Sequence, residues 1–230
     1  MLLLLAGCEK EDKVDPILFN PSITYGSLSD LDGNSYRTVT IGSQVWMAEN
    51  LRTTRFNDNE TIPMVKDSTA WNKLTTPAFC WYINDNSSLQ KIYGALYNWF
   101  TVNSGKLCPA GWHVPSDREW IELRTYLGGE DLAGGKLKES GTSHWQSPNA
   151  GATNESGFTA LPSGMRGMVA AGKQGRFEGR GTDCSWWSTT RINTETFSLI
   201  FGLWINTGYS RIFRREFYEN DGTAVRCIKD

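Results

Sequence analysis

Several scarcities narrow the reading of this sequence before any motif does. Histidine occurs only twice in 230 residues and no Cys-x-x-Cys spacing is present, so the clustered ligands of a structural zinc site are missing. Lys and Arg number 23 against 25 Asp and Glu, for a net charge of −2 without a basic run. That removes the electrostatic footprint of a nucleic-acid binder. After the N-terminal leucines, no apolar stretch reaches the roughly 18 residues that read as a membrane-spanning helix. Internal repeats and low-complexity tracts are also absent, and long helical repeats would be richer in Ala, Leu, Glu and Lys. What the chain has instead is glycine, 23 residues, and tryptophan, 10 residues, with aromatics at 12%. Such a composition favours short strands joined by ordered loops.

The N-terminus carries the most specific local signal. Leu5-Ala6-Gly7-Cys8 follows a leucine run and precedes Glu9-Lys10-Glu11-Asp12. Small residues just before a cysteine, behind an apolar stretch, resemble the lipobox of bacterial lipoproteins, in which the cysteine becomes an acylated N-terminus. The resemblance implies lipidation at Cys8 and a membrane partner reached through that anchor. Each buried CH2 contributes about 0.8 kcal/mol, so two or more acyl chains hold where one would not. A secretory leader needs a basic start and a longer apolar region than residues 1–7 supply, so the translation start is expected upstream. Cys8-Glu9-Lys10-Glu11-Asp12 is similar to the Cys-x-Lys-acidic-acidic export signal of Bacteroidetes lipoproteins, which implies display on the outer face of the outer membrane. The chain divides into a leader remnant at 1–8, a tether and lead-in at 9–29, and one domain at 30–230. Once Cys8 is set aside, Cys80, Cys108, Cys184 and Cys227 form an even set suited to disulfides in an exported protein. Their pairing stays open at this level.

Local patterns place the elements. Asp32-Gly33-Asn34 is a turn signal near which structure is expected to begin. The spacing Asp30-x-Asp32-Gly33-Asn34 is superficially similar to calcium loops but lacks the EF-hand order and the distal Glu. Residues 36–41 and 44–47 are β-prone and separated by Gly42-Ser43, which predicts a hairpin with a type II′ turn. Tyr93, Leu96, Tyr97 and Phe100 fall at i, i+3, i+4 and i+7 and predict a short helix. A better helix follows Pro115: Ser116 and Glu119 form a capping box, Trp120, Leu123 and Leu127 make the apolar stripe, and Gly128-Gly129 ends it. Near the C-terminus, Phe197, Leu199, Phe201, Leu203 and Ile205 alternate along a strand whose other face carries Trp204. Asn206-Thr207-Gly208 turns the chain, residues 209–217 return antiparallel, and a short last strand is expected over 224–228. Helices in the middle with hairpins on both sides give an α+β class.

The ordered strings Ile41-Gly42-Ser43-Gln44-Val45-Trp46-Met47-Ala48-Glu49-Asn50-Leu51, Tyr93-Gly94-Ala95-Leu96-Tyr97-Asn98-Trp99, Cys108-Pro109-Ala110-Gly111-Trp112-His113-Val114-Pro115, Gly134-Gly135-Lys136-Leu137-Lys138, Phe158-Thr159-Ala160-Leu161-Pro162-Ser163-Gly164-Met165-Arg166 and Val225-Arg226-Cys227 resemble the Fibrobacter succinogenes major paralogous domain. The resemblance covers 30–230. It implies a C-type-lectin-like α+β fold with short antiparallel sheets, two or more short helices and long ordered loops, similar in outline to the formylglycine-generating and sulfatase-modifying proteins. It also implies a Cys108 to Cys227 bridge, which leaves Cys80 with Cys184. It supplies a fold and an address but no reaction.

No catalytic, metal or cofactor site emerges from the sequence. The Glu-Pro-Asn, Gln-Pro-Asp and Trp-Asn-Asp strings of calcium-dependent lectins are absent. Only Cys184 and Cys227 could form a copper-holding pair, and neither has the spacing of the formylglycine-generating enzymes. His113, at the tight entry to a helix, is expected to make a structural hydrogen bond, whereas His144 is expected to face water from a polar loop. Binding has better candidates. Trp204 lies opposite the core face, with Tyr209, Arg211, Arg214 and Arg215 beyond its turn. Adjacent Trp186 and Trp187 should point to opposite sides, which makes one of them a candidate for exposure, the alternative being that these tryptophans fill a second core layer. The expectation is a non-catalytic module for a glycan or a surface protein. An enzyme of the sulfatase-modifying kind and a structural subunit of a surface assembly are the alternatives.

Overall fold

The computed structural model describes residues 15–84, 89–167, 175–193 and 198–230, so Cys8 and Phe197 lie outside the described residues. In chain order the strands are β1 (Gly26–Ser29), β2 (Ser35–Ile41), β3 (Gln44–Met47), β4 (Phe79–Cys80), β5 (Leu96–Tyr97), β6 (Trp112–His113), β7 (Ser163–Gly167), β8 (Arg176–Arg180), β9 (Asp183–Asn193), β10 (Ser198–Asn206), β11 (Phe213–Phe217) and β12 (Ile228–Lys229). The helices are α1 (Ser68–Asn72), α2 (Leu89–Tyr93), α3 (Trp99–Val102), α4 (Asp117–Tyr126) and α5 (Glu130–Leu137). One sheet has the order β1-β2-β3-β12-β6 and a second the order β11-β10-β9-β7-β8, while β4 and β5 form a small ribbon. Pairing is antiparallel except between β7 and β9. The class is α+β, mostly sheet with few short helices.

The local signals that rest on nearest neighbours hold. Ile41 pairs with Gln44 across Gly42-Ser43, and Gly42 takes φ +63°, which the first position of a type II′ turn requires. The Tyr126 ring closes over that glycine, where a Cβ would come within 2.9 Å of it. At α4, Glu119 N donates to Ser116 Oγ at 3.3 Å and Ser116 N to Glu119 Oε2 at 2.7 Å. Trp120, Leu123 and Leu127 are buried as the stripe requires. The Trp120 ring sits 4.6 Å from Trp46 and 5.9 Å from Trp186. Aromatic pairs of this kind add about 0.5–1.5 kcal/mol each beyond their buried area.

Other expectations fail for identifiable reasons. The helix over residues 93–100 does not form. Gly94 at φ +75° ends α2, residues 96–97 become β5, and Asn98 caps α3 by accepting from Thr101 N at 3.1 Å. A buried strand between two short helices mimics the spacing of one helix. Ordered structure also starts before Asp32, because β1 begins at Gly26 and Phe19, Ile23 and Tyr25 pack on the core. On β10 the alternation holds, and the bulge falls in β9, where Trp187 to Arg191 span the step from Gly202 to Ile200. What differs is that the second face is also covered, so Ile200 enters a core beside Trp187. The last strand shrinks to β12. Residues 224–227 instead run as a seam between the sheets, with Ala224 N donating to Ser185 O, Leu51 N to Val225 O and Met47 N to Cys227 O.

The seam is fastened twice. Cys227 is bonded to Cys108 across 119 residues, a closure that contributes about 5 kcal/mol in the chain-entropy account. Arg226, wholly buried, donates to Asn50 Oδ1 at 2.8 Å, Met47 O at 3.2 Å and Thr159 O at 3.0 Å, and also to Phe158 O. Arg166, equally buried, donates to Gly175 O, Val65 O and Lys66 O at 2.7–3.0 Å. Cys80 and Cys184 are free rather than bridged. Each is committed to a different cluster, Cys80 beside Trp71 and Leu96, Cys184 beside Trp186 and Ile205.

His144 does not face water. It is buried, with Nδ1 2.7 Å from Glu139 Oε2 and Nε2 3.0 Å from the Asp15 carbonyl. Leu18 N donates to the other Glu139 oxygen at 2.7 Å, so this pair holds residues 15–18 against the body. A carbonyl only accepts, so Nε2 carries a hydrogen. Burial alone would push the imidazole toward neutrality, but the Glu139 carboxylate outweighs it and raises the His144 pKa above its usual 6.5. The pair's stabilisation is therefore complete below about pH 6.5 and declines as pH climbs through the raised value. A His144→Gln variant should show its largest deficit in urea midpoint at mildly acidic pH, narrowing toward alkaline pH. A deficit constant with pH would mean that a neutral imidazole makes these bonds.

Candidate functional site

The register of β9, β10 and β11 decides which side chains share a face. Ile200 faces Phe217, Gly202 faces Trp187 and Arg215, and Trp204 faces Ser185 and Phe213. Trp187, Ile200 and Phe217 pack into the core with Tyr97, Trp99 and Met165. On the opposite face, Cys184, Trp186, Leu203 and Ile205 pack with Trp120 and Phe158. Trp186 and Trp187 do point to opposite sides, but neither is exposed, and both are at 0%. The sheet is covered on both faces in its middle, so neither ring can serve a ligand. Their indole N–H groups are used internally, Trp186 on Asn50 Oδ1 at 2.9 Å and Trp187 on Tyr97 O at 2.7 Å. Gly202 allows this packing, since a Cβ there would lie 2.3 Å from Trp186 O and 2.7 Å from the Phe217 ring.

The covering layer stops at the far end of the Trp187 face, and there Trp204, Phe213 and Tyr209 come together. Trp204 is half-buried, with its ring 4.9 Å from Phe213, which in turn meets Tyr209 edge-on at 6.0 Å. Tyr209 is 60% exposed. The indole N–H of Trp204 donates to Asp183 Oδ1 at 2.9 Å, and the Thr182 hydroxyl donates to Asp183 Oδ2. Arg211 pairs with Glu130 and lies 3.4 Å from Asp131. Arg215 lies 5.6 Å from the Trp204 ring centre, and no ion pair joins it to another described residue. Two grooves flank Trp204. One, of about 270 Å³, is lined by Met165, Glu178, Thr182, Asp183 and Arg215, and the other, of about 570 Å³, by Asp131, Tyr209, Ser210, Arg211 and Phe213.

The structure therefore unites Trp204, Tyr209 and Arg211 and separates Arg214, which turns to the other face to stack over Phe201 at 3.2 Å and pair with Asp117. Phe213 was not singled out by sequence. Period-two alternation from Phe213 to Phe217, paired across the turn with Trp204, would have found it. Lys138 was also missed. Its Nζ donates to Ala150 O, Asn206 O and Tyr209 O at 2.9–3.0 Å, and burial pushes its pKa down to about 8. With Gly135 N on Ser210 O and Ile212 N on Glu130 O, it fixes the loop that presents Tyr209 and Arg211. Only the tertiary arrangement shows this, because the three carbonyls come from two segments, at 150 and 206–209, that the fold brings to one ammonium.

Other candidates are occupied. Asp30 accepts from Asn34 and Tyr36, and Asp32 from Thr53, Thr54 and Arg55, so the acidic turn is a structural knot beside a smaller cavity of about 210 Å³. His113 has Asp230 on Nδ1 at 2.6 Å and Glu119 on Nε2 at 2.8 Å. Cys184 lies 3.2 Å from Ser163 Oγ, and burial pushes its thiol up to about 11 and that of Cys80 up to about 12. Both are protonated and poorly nucleophilic. Cys227 is consumed by its disulfide. Among the described residues no group of three or more His, Cys, Asp or Glu gathers to hold a metal.

A family model described as the Fibrobacter succinogenes major domain matches residues 39–229. No curated protein and no solved structure matches the chain.

Replacing Lys138 by Met should leave three buried carbonyls without their donor and lower stability by about 2–4 kcal/mol. Amide exchange should accelerate over residues 206–211 while the hairpin at 35–47 keeps its protection. Unchanged exchange at 206–211 would show that the ammonium does not hold the loop.

Proposed function

This chain belongs to the Fibrobacter succinogenes major domain family, and from that premise we propose that it is a lipid-anchored, surface-displayed outer-membrane module that binds carbohydrate and leaves it chemically unchanged. The observation that carries this reading is the cluster of Trp204, Phe213 and Tyr209 at the open end of a sheet whose middle is covered on both faces. Flat aromatic faces suit the C–H surface of a sugar ring, and a few charged groups at the rim suit its hydroxyls. Arg211, Arg215, Asp131 and Glu178 supply them here. Within the α+β class, we read the body as C-type-lectin-like. The address rests on Leu5-Ala6-Gly7-Cys8 and the acidic residues after it.

Binding rather than turnover is favoured by where the perturbed groups lie. The ammonium of Lys138, the guanidinium of Arg226 and the thiols of Cys80 and Cys184 are all shifted by burial. None of them lines either groove beside Trp204, whereas a reacting site concentrates such groups around its cavity.

Screened side by side on a broad glycan array, the protein should bind selectively and a Trp204→Ala variant should bind at least about tenfold more weakly, the loss of one aromatic contact. Circular dichroism of the variant shows whether it is folded. Silence of the folded parent across the array counts against carbohydrate and points to a protein partner.

A further inference from the structure

Trp204 is the one residue among those described that lines both grooves, so it is the wall they share rather than the floor of one. The wall is rigid. Its indole nitrogen is tied to Asp183, whose other oxygen is held by Thr182, and Phe213 backs the ring at 4.9 Å. The loop beside it is pinned by Lys138 through Asn206 and Tyr209. Each side offers both a donor and an acceptor. Arg215 and Glu178 stand in the smaller groove, and neither has an ion-pair partner among the described residues. Arg211 and Asp131 stand in the larger.

We infer that this site takes an internal stretch of an uncharged polysaccharide, crossing the Trp204 ring with sugars seated on both sides. The inference rests on the carbohydrate reading above and adds the class of chain. A site for a chain end or a free monosaccharide needs one cavity closed at its far side. Here two open grooves share a wall, which matches a polymer passing through. Charge selects as well. Asp183 is spent on Trp204 and Thr182, leaving Arg215 beside Glu178 in the smaller groove, while in the larger Arg211 is already paired with Glu130 and Asp131. A polyanion or a polycation would meet repulsion on both sides, whereas hydroxyls, which donate and accept, meet a partner for each role.

Calorimetric titration with xylan-, glucan- and mannan-derived oligosaccharides, from mono- to hexasaccharide, tests this, with polygalacturonate as the charged comparison. For the chain that binds, affinity should rise about tenfold or more between disaccharide and tetrasaccharide as the second groove fills. Reduction of the chain end should not matter. Tyr209→Ala and Arg215→Gln, from opposite sides, should each cancel that gain and leave short-chain affinity in place, while Trp204→Ala abolishes binding. A monosaccharide binding as tightly as a hexasaccharide would overturn the internal-chain inference and leave the carbohydrate reading intact. Tightest binding of polygalacturonate would overturn the neutral-chain assignment alone. No binding of any sugar by folded protein would overturn both.

Discussion

Taking a cation out of water without a counter-ion costs several kcal/mol, and this fold does so with Arg226, Arg166 and Lys138. None of the three exposes more than 1% of its surface, and what each meets is backbone carbonyl oxygen, joined at Arg226 by the Asn50 amide oxygen. The arrangement answers a problem that long ordered loops create. A segment that runs through the interior without helix or ladder partners carries carbonyls that must still be satisfied. Guanidinium and ammonium groups are the side chains with the most donors and no acceptor, so one of them can gather three or four such carbonyls from segments far apart in sequence. Each cation thus ties together segments from separate parts of the chain. Arg226 sits on the seam between the sheets, Arg166 gathers residues 65, 66 and 175, and Lys138 gathers the loops at 150 and 206–209.

The two-sided burial of the second sheet follows from the same economy of layers. Ten tryptophans in 230 residues are enough to fill a core on each face of that sheet, and Trp120, Trp186, Trp46 and Phe158 do so on one side while Trp187 and Trp99 do so on the other. The aromatic abundance therefore serves packing first. Trp204 and Trp112 are only partly buried, and Trp204, where the covering layer ends, comes with Phe213 and Tyr209 as neighbours because antiparallel pairing and a pinned loop put them there.

What the sequence revealed was governed by distance along the chain. The capping box at Ser116, the Gly42 turn and the α4 stripe need only nearby residues and were legible. The pattern at 93–100 failed because a period of three to four can arise from a strand set between helices once Gly94 breaks the chain. His144 and Lys138 were misread or missed because burial, which only the fold imposes, decides their roles. The Asp15 and Tyr209 carbonyls reach them from far along the chain, and nothing local marks the nearby Glu139 as a buried partner. At the site, alternation placed Trp204 opposite the core, but the same rule suggested exposure for Trp186 or Trp187. Alternation tells faces apart and does not say whether a face is covered.

The bonds from Lys138 to the loop at 206–209 end on main-chain oxygens, which every amino acid possesses. Asn206 adds its own side-chain oxygen to Gly208 N and Tyr209 N, whereas the exposed ring of Tyr209 takes no part in holding the loop and could be exchanged without disturbing the scaffold beneath. A frame that fixes a loop largely through its backbone and leaves a side chain such as Tyr209 free to vary is suited to diversification. One fold of this kind can be re-aimed at different chemical targets by substitutions at a few rim positions.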